Sequence, residues 1–411
     1  MGPITPSYQN QYDDAFLVKF NESGVRLWGT YFGGSYDDVA YSIDIDKDNN
    51  IFMVGSFAIN HYENIFNSPI GDGFITKYNP NGTLLWQKLY GGKGTDEFRA
   101  IKVGENFIAV GGFSNGADNI STPGVFQEDL YDKNNFSSNG IVFKLNLNGD
   151  RIWSTYYGGE SIDKIHAIEI DDENNIYIGG ESHSSKNIAT PNSFDDYSIY
   201  SNTGFFAKLD QHGQRLWGSY LGLDTEIYSL VFTNNALYIG GNGGYDNSIT
   251  SLCAYKRTGY SGGYIGKFSK NGEFIWGSYI GGFDQYSQTG ITIKNNQIVV
   301  GGTSIMINDG IADQDSYQSN ILGPKNFYLM KFSEETNCNI NANPTSNSPV
   351  CLGETLNLNA DPGYNYVWTG PNNFSSNLQN PIITNVTNAN SGTYHLTASD
   401  NCGCEKNMTF K

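Results

Sequence analysis

Three aspartates, Asp38, Asp96 and Asp163, each stand ten residues after a tryptophan and just beyond a Gly-Gly pair. Asp224 and Asp284 fall near the matching place in two further stretches. Carboxylates repeated at one station could ring a channel and hold a cation, calcium being the cation such a set would take, so these three are the candidate metal ligands. An aspartate after a tight turn also commonly accepts backbone N–H groups of its own loop, and that is the competing expectation. Asp44, Asp46 and Asp48 alternate like part of a calcium loop. They lack the glycine and distal glutamate of an EF-hand, so a polar hairpin turn is expected there. A recurring lysine (Lys19, Lys77, Lys144, Lys208, Lys267, Lys331) reads either as a ring of ligand-binding cations or as one packed, carboxylate-paired lysine per unit. Tyr131, Tyr197, Tyr200, Tyr245 and Tyr260 lie in long loops and are the candidate ligand contacts.

No catalytic constellation accompanies them. The five histidines share no metal spacing, and G-x-S-x-G, H-E-x-x-H and phosphate-loop patterns are absent. A non-enzymatic protein without a cofactor, calcium apart, is therefore expected. Two carboxylates could still meet in a folded channel, so a polysaccharide-acting hydrolase or lyase is the alternative, and a passive spacer a third reading. The net charge of −18 excludes a phosphate-binding surface, and with it a nucleic-acid partner, because such surfaces need clustered Lys and Arg. No run of 18 apolar residues could form a transmembrane helix, and the start MGPITPSYQN lacks the features of a signal peptide. The chain opens in mid-repeat, which fits a piece of a longer protein.

The elements that must position these residues are announced by five tryptophans in one phrase: KFNESGVRLWGTYFGG, KYNPNGTLLWQKLYGG, KLNLNGDRIWSTYYGG, KLDQHGQRLWGSYLGL and KFSKNGEFIWGSYIGG. Self-similarity at such a period means one supersecondary unit stacked repeatedly. Each unit resolves into four short strands. An alternating segment and a glycine-ended strand come first, as in Ala40 to Phe57, His166 to Ser182 and Thr289 to Ser304. A long loop, a strand carrying the lysine, an N-x-x-G hairpin and the tryptophan strand follow. The D-x-x-N-N and K-N-N turns supply residues that tolerate the left-handed geometry of tight hairpins. Antiparallel strands in fours repeated radially are blades of a β-propeller, and each tryptophan is expected to pack between adjacent blades. Six lysine strands, five tryptophan strands and five strand pairs of the first type leave five to seven blades open; six is the preferred count.

The pattern TP-x-x-F-Q, then D-x-F-x-x-K-x-N-x-x-G-x-x-x-W-x-T-Y-x-G-G-x-x-x-D, then D-x-x-N-N-I-Y-x-x-G, resembles the bacterial SBBP-type β-propeller repeat over Pro6 to about Phe332. The fourth unit departs from it at Gly222-Leu223 and in SITSLCAYK. The period stops near Cys338, so the expected domains are a propeller over 1–336 and a second module over 337–411. There, YNYVW ending at Trp368 and NSGTYHLTA with Tyr394 resemble immunoglobulin/PKD-like modules of large Bacteroidetes surface proteins. Leu396 stands where antibody domains have a cysteine, and Leu356, Leu358 and Leu396 are expected to pack with Trp368. Cys338, Cys351, Cys402 and Cys404 read as two disulfides of an oxidising compartment, with Cys253 free; a zinc site is the competing reading, though the spacing lacks paired C-x-x-C knuckles. The expected whole is all-β: a propeller, then an immunoglobulin-like sandwich. What the resemblance implies is a secreted or outer-membrane-surface adhesion module of a Gram-negative bacterium, related to gliding-motility and type IX secretion substrates. Its partner would be a protein or glycan held by the loops at 57–72, 114–139, 181–203, 243–261 and 304–325; the competing expectation is that these loops merely cover the blade tops.

Overall fold

The computed structural model describes residues 12–60, 70–131, 137–198, 202–244, 246–251, 254–255, 262–280, 289–295, 297–304, 326–333, 340–400 and 405–410. The chain divides into two compact units, Met1–Phe332 and Ser333–Lys411. In the first, the strands are β1 (Ala15–Phe20), β2 (Arg26–Phe32), β3 (Asp38–Ile45), β4 (Ile51–Asn60), β5 (Ile70–Tyr78) and β6 (Leu84–Tyr90). They continue as β7 (Asp96–Val103), β8 (Phe107–Ser114), β9 (Asn139–Asn146), β10 (Arg151–Tyr157), β11 (Asp163–Ile170), β12 (Ile176–Ser182), β13 (Thr203–Leu209) and β14 (Arg215–Leu223). The last are β15 (Glu226–Thr233), β16 (Ala236–Asn242), β17 (Gly263–Ser269), β18 (Phe274–Ile280), β19 (Gly290–Lys294), β20 (Gln297–Ser304) and β21 (Asn326–Ser333).

Four complete antiparallel sheets follow the chain in simple order: β3 to β6, β7 to β10, β11 to β14 and β15 to β18. A two-stranded sheet, β1–β2, precedes them and a three-stranded sheet, β19–β20–β21, follows. Among the described residues these two partial sheets are not paired with each other. The first strands of successive sheets pack on one another, β3 on β7, β7 on β11, β11 on β15 and β15 on β19, as innermost strands of neighbouring blades must.

One rule governs every sheet-to-sheet interface. On each lysine strand, the residue two before the lysine packs against the next sheet, and the residues three before and one after it pack against the preceding sheet. Thus Leu17 meets Phe74 and Tyr78, and Ile75 meets Ile141 and Leu145. Val142 meets Phe205 and Leu209, Phe206 meets Tyr264 and Phe268, and Ile265 meets Tyr328 and Phe332. Each fully buried side chain of this size contributes roughly 1.5–3 kcal/mol.

The tryptophans sit at the outer end of the same interfaces. A Cβ on hairpin glycine Gly82 would lie 2.8 Å from the Trp28 ring, and on Gly149 2.8 Å from Trp86. Both glycines have φ near +80°, so hairpin shape and room for the neighbour's ring demand the same residue. Trp28 Nε1 donates to the Pro80 carbonyl at 3.2 Å and Lys19 Nζ to the same oxygen at 3.0 Å. Trp153 (2.8 Å) and Lys144 (3.3 Å) share the Gln211 carbonyl in the same way. Lys77 pairs with Asp46 at 3.2 Å and Lys208 with Asp171 at 2.8 Å. These lysines tie neighbouring units and turns; they do not form a ligand ring.

The second unit holds β22 (Thr345–Ser346), β23 (Leu356–Asn359), β24 (Asn365–Gly370), β25 (Phe374–Ser376), β26 (Ile382–Ile383), β27 (Tyr394–Ser399) and β28 (Glu405–Phe410). Their sheet orders are β22–β23–β26 and β25–β24–β27–β28. Trp368 is fully buried among Leu356, Leu358 and Leu396, and the Tyr394 hydroxyl donates to the Asn390 carbonyl at 2.9 Å. An immunoglobulin-like sandwich is nonetheless not evident, because β22 and β26 are two residues long each and the first sheet is correspondingly slight. Cys351 is an exposed free thiol in the turn closed by Glu354 N–H to its carbonyl. Cys253, Cys338, Cys402 and Cys404 lie outside the described residues.

Candidate active site on the innermost strands

The repeated aspartates open each innermost strand, and all three are buried: Asp38 is 1% exposed, Asp96 and Asp163 0%. Asp38 accepts Gly34 N–H at 2.5 Å and Ala58 N–H at 3.0 Å. Asp163 accepts Gly159 N–H, both Ser182 and Ser184 hydroxyls, and Asn139 Nδ2 at 3.2 Å. Asp96 accepts Gly92 N–H at 2.9 Å, while its other oxygen is buried beside Ser114, whose hydroxyl is turned to the Gly116 carbonyl. Burial pushes Asp96 up to about 6 and Asp163 up to about 7. Each carboxylate thus serves its own Gly-Gly turn. Among the described residues no group of three or more His, Cys, Asp or Glu is gathered that could hold a metal.

A feature not foreseen from the sequence lies one step along the same strands. Each complete unit carries a β-bulge in its first strand: between Ala40 and Ser42, Phe98 and Ala100, Ile165 and Ala167, and Ile227 and Ser229. The extra residues are Tyr41, Arg99, His166 and Tyr228. A bulged residue is left out of the ladder and its side chain is re-aimed, which is why bulges recur beside active sites. Here the four meet in pairs. The Arg99 guanidinium lies 4.0 Å from the Tyr41 ring centroid, and His166 stacks on Tyr228 at 5.1 Å.

Carboxylates surround them. Glu97 pairs with Arg99 at 2.6 Å, and Glu181 receives Lys164 Nζ at 2.8 Å with His166 Nε2 at 3.8 Å. Tyr228 donates to Glu226 in a short hydrogen bond, and Asn242 Nδ2 donates to the same oxygen at 3.2 Å. Burial alone would raise Glu181, but hydrogen bonds and charge from His166 and Lys164 hold it well below the usual carboxylate range. Tyr228 is pushed up by burial and by Glu226, so it stays a protonated donor. The side chains remain partly open to solvent, Arg99 at 30% and Lys164 at 31%. Three carboxylates, a histidine, two cations and two phenols therefore share one wall across four units. The signal was present in the sequence as the pairs Glu97-x-Arg99 and Lys164-x-His166 after a Gly-Gly turn and Glu226-x-Tyr228 after Gly222-Leu223. It was hidden because a bulge adds its residue without changing the repeat length.

The long loops cover blade edges. In the unit of β7–β10, Thr122 N–H donates to Ser154 O at 2.9 Å, and Tyr156 N–H to Gln127 O at 3.1 Å. In the next, Thr190 N–H reaches Gly218 O and Tyr220 N–H reaches Asp195 O, both at 2.9 Å, and Ser251 N–H reaches Gly277 O in the fourth. The loops fold back over the outer tryptophan strands and satisfy their free edges. Tyr131 and Tyr197 are exposed on them, at 47% and 67%. Tyr197 borders a cavity of about 350 Å³ that Asp195 and Asp246 also line. The structure does not bring Tyr131 to that cavity, and Tyr200, Tyr245 and Tyr260 lie outside the described residues.

The family model for the SBBP beta-propeller repeat matches residues 27–56 and 152–188, so the chain carries propeller repeats of this type. An uncharacterized WD repeat-containing protein, L264, of Acanthamoeba polyphaga mimivirus is 24% identical over 164 residues, 36% of this chain. The chain spans 12% of the length of that relative. Solved structures with a similar fold include CoXyl43, a GH43 β-xylosidase/α-arabinofuranosidase from a compost metagenome (8% identity, 73% of this chain and 92% of that one, TM-score 0.33). A Synechocystis apocarotenoid oxygenase (10%, 73% and 66%, 0.38) and the β-propeller domain of the Trilobed protease from Pyrococcus furiosus (9%, 90% and 92%, 0.34) are others. The expectation of a non-enzymatic protein is corrected here. It rested on missing linear motifs, whereas GH43 enzymes and an arabinanase stand among the structures of similar fold.

Proposed function

We propose that the protein acts on a polysaccharide as a hydrolase or lyase, with the sugar chain lying across the bulged residues of the innermost strands. The observation that carries this reading is the Glu226–Tyr228–His166–Glu181 set, in which carboxylates in two different environments flank a hydrogen-bonded phenol. Two carboxylates on one wall are the groups that acid–base cleavage of a glycosidic bond uses. On binding, the single Tyr228 O–H leaves Glu226 for a sugar oxygen, Asn242 Nδ2 staying on Glu226, while the ionised Glu181 faces developing positive charge. Arg99 and Lys164 are each already paired with a carboxylate, which favours a neutral, hydroxyl-rich chain over a polyanion. Tyr41 and Tyr228 supply the aromatic faces that sugar rings stack on. An extracellular or cell-surface setting belongs to the proposal and is supported by the acidic net charge of −18.

The experiment is turnover of a panel of neutral polysaccharides, read as new reducing ends or unsaturated products, together with calorimetric binding. Glu226→Gln and Tyr228→Phe are expected to lower turnover roughly 100-fold or more, as loss of a positioned acid–base group does. Binding without turnover in the wild type would move the reading to a glycan-binding module on the same wall. Neither binding nor turnover would end it.

A further inference from the structure

Three of the four complete sheets have their outermost strand covered by the long loop of their own unit; the first does not. On β10, β14 and β18 the residue after the tryptophan (Ser154, Gly218, Gly277) gives its carbonyl to a loop N–H. Three residues after the tryptophan stands a tyrosine, Tyr156, Tyr220 or Tyr279, at most 1% exposed. Its hydroxyl donates to a carbonyl of the same loop: Gly116 at 2.6 Å, Ser184 at 2.8 Å and Asp246 at 2.6 Å. On β6 the corresponding residues are Gln87, which is exposed, and Leu89, 43% exposed. Leucine has no hydroxyl with which to hold a loop. The outward Gln87 carbonyl and Leu89 N–H meet no partner among the described residues. β4 and β5 run on to Asn60 and Ile70, joined by nine residues (61–69) where the covered units have at least 20 (183–202). To pass along Gln87 and return, that connection would need about 45 Å, against about 36 Å for a fully extended chain.

The covered edges show what such an edge seats. In the units of β7–β10 and β11–β14 the covering segment reads Thr-Pro-x-x-Phe, followed by Gln127 or Asp195. The threonine N–H meets the carbonyl after the tryptophan, and the carbonyl five residues on accepts the N–H of the tyrosine. The phenylalanine between them lands on the first residue of the next sheet's outermost strand. Phe126 lies 4.3 Å from the Arg215 guanidinium and 5.4 Å from the Tyr157 ring, and Phe194 lies 5.1 Å from the Phe274 ring. For β6 that first residue is Arg151, exposed and beside Tyr90, the counterpart of Tyr157. The seat for such a phenylalanine is thus present next to the open edge.

We propose that β6 takes up, by strand addition, an extended Thr-Pro-x-x-Phe-Gln segment offered by a partner protein. Its threonine N–H donates to the Gln87 carbonyl, its glutamine carbonyl accepts the Leu89 N–H, and its phenylalanine lies on Arg151. The probe is a fluorescent peptide copying residues 120–129, titrated with the 411-residue chain and followed by anisotropy. Saturable one-to-one binding is expected. Methylating the peptide's threonine nitrogen removes the donor to Gln87 and should weaken binding about tenfold, with the protein untouched. Leu89→Pro removes an N–H that points away from β5, so it should weaken binding as much while near-ultraviolet dichroism stays native. Arg151→Ala, checked in the same way, should weaken it about 2–5-fold. A wild-type chain that shows no saturable binding overturns the inference. So does undiminished binding of the methylated peptide, or of the original peptide by either folded variant.

Discussion

Replacing Asp72 with asparagine should stabilise the first unit at neutral and alkaline pH. The reason lies in three equivalent stations. A Cβ on Gly91 would sit 2.2 Å from an Asp72 oxygen and 2.7 Å from an Asp96 oxygen, so those two lengths end to end bound the gap between the carboxylates. Gly33 lies in the same way between Asp14 and Asp38. At the third station the partner is Asn139, whose Nδ2 donates to Asp163 at 3.2 Å. Asp72→Asn copies that station into the second. Asp96 is raised from 3.8 to about 6, first by burial and further by Asp72 and Asp118, which amounts to about 3 kcal/mol against its ionised form. Because the folded pKa lies above the unfolded one, this cost is absent below about pH 4, grows as pH rises through about 6, and is complete above it. Burial is untouched by the substitution, so only the like-charge part is recovered, with a hydrogen bond of about 1 kcal/mol added. The expected gain is about 1–2 kcal/mol at pH 8, shrinking towards zero at pH 5, where a protonated Asp96 already supplies the missing donor. Urea unfolding followed by tryptophan fluorescence at both pH values measures it, since five of the six tryptophans belong to this unit. A variant less stable than wild type at pH 8, or equally shifted at both pH values, would refute the reasoning.

Gly149→Ala should cost about 1–3 kcal/mol in the same assay, because φ is +80° and the new methyl would press 2.8 Å from the Trp86 ring. Trp153→Ala removes a buried indole and its bond to Gln211, and a loss of roughly 3–5 kcal/mol is expected by thermal unfolding. In the second unit, Tyr394→Phe deletes the hydroxyl bond to Asn390 and should lower stability by about 1 kcal/mol in urea, leaving the tryptophan signal of the first unit unmoved.

What could be read from sequence and what could not divides along physical lines. Trp28, Trp86, Trp153, Trp217 and Trp276, the N-x-x-G hairpins and the lysine strands recur because every unit must close the same turn and fill the same interface; their strands lie where the repeat placed them. The aspartates were legible in position and ambiguous in role, since a carboxylate after a Gly-Gly turn looks the same whether it faces a channel or its own backbone. Burial decided it. The loops read as variable, exposed and ligand-facing, yet Thr122 and Thr190 spend their backbones on the outer strands, a long-range pairing with no local signature. Tyr41, Arg99, His166 and Tyr228 escaped notice because strand register is set by the partner strand, and one unpaired residue per unit keeps the period intact.

Those four bulges also separate two kinds of inheritance within one repeat. A residue in the ladder answers to its cross-strand partner and to the neighbouring sheet, so exchanging it disturbs the scaffold. A bulged residue has no ladder partner to satisfy. The wall they form can therefore be rewritten one unit at a time, with tyrosine, arginine, histidine or anything else, while the sheets beneath it stay as they are. A duplicated unit arrives with one position already outside the ladder, and a change in the chemistry of this wall needs substitutions at only a handful of codons.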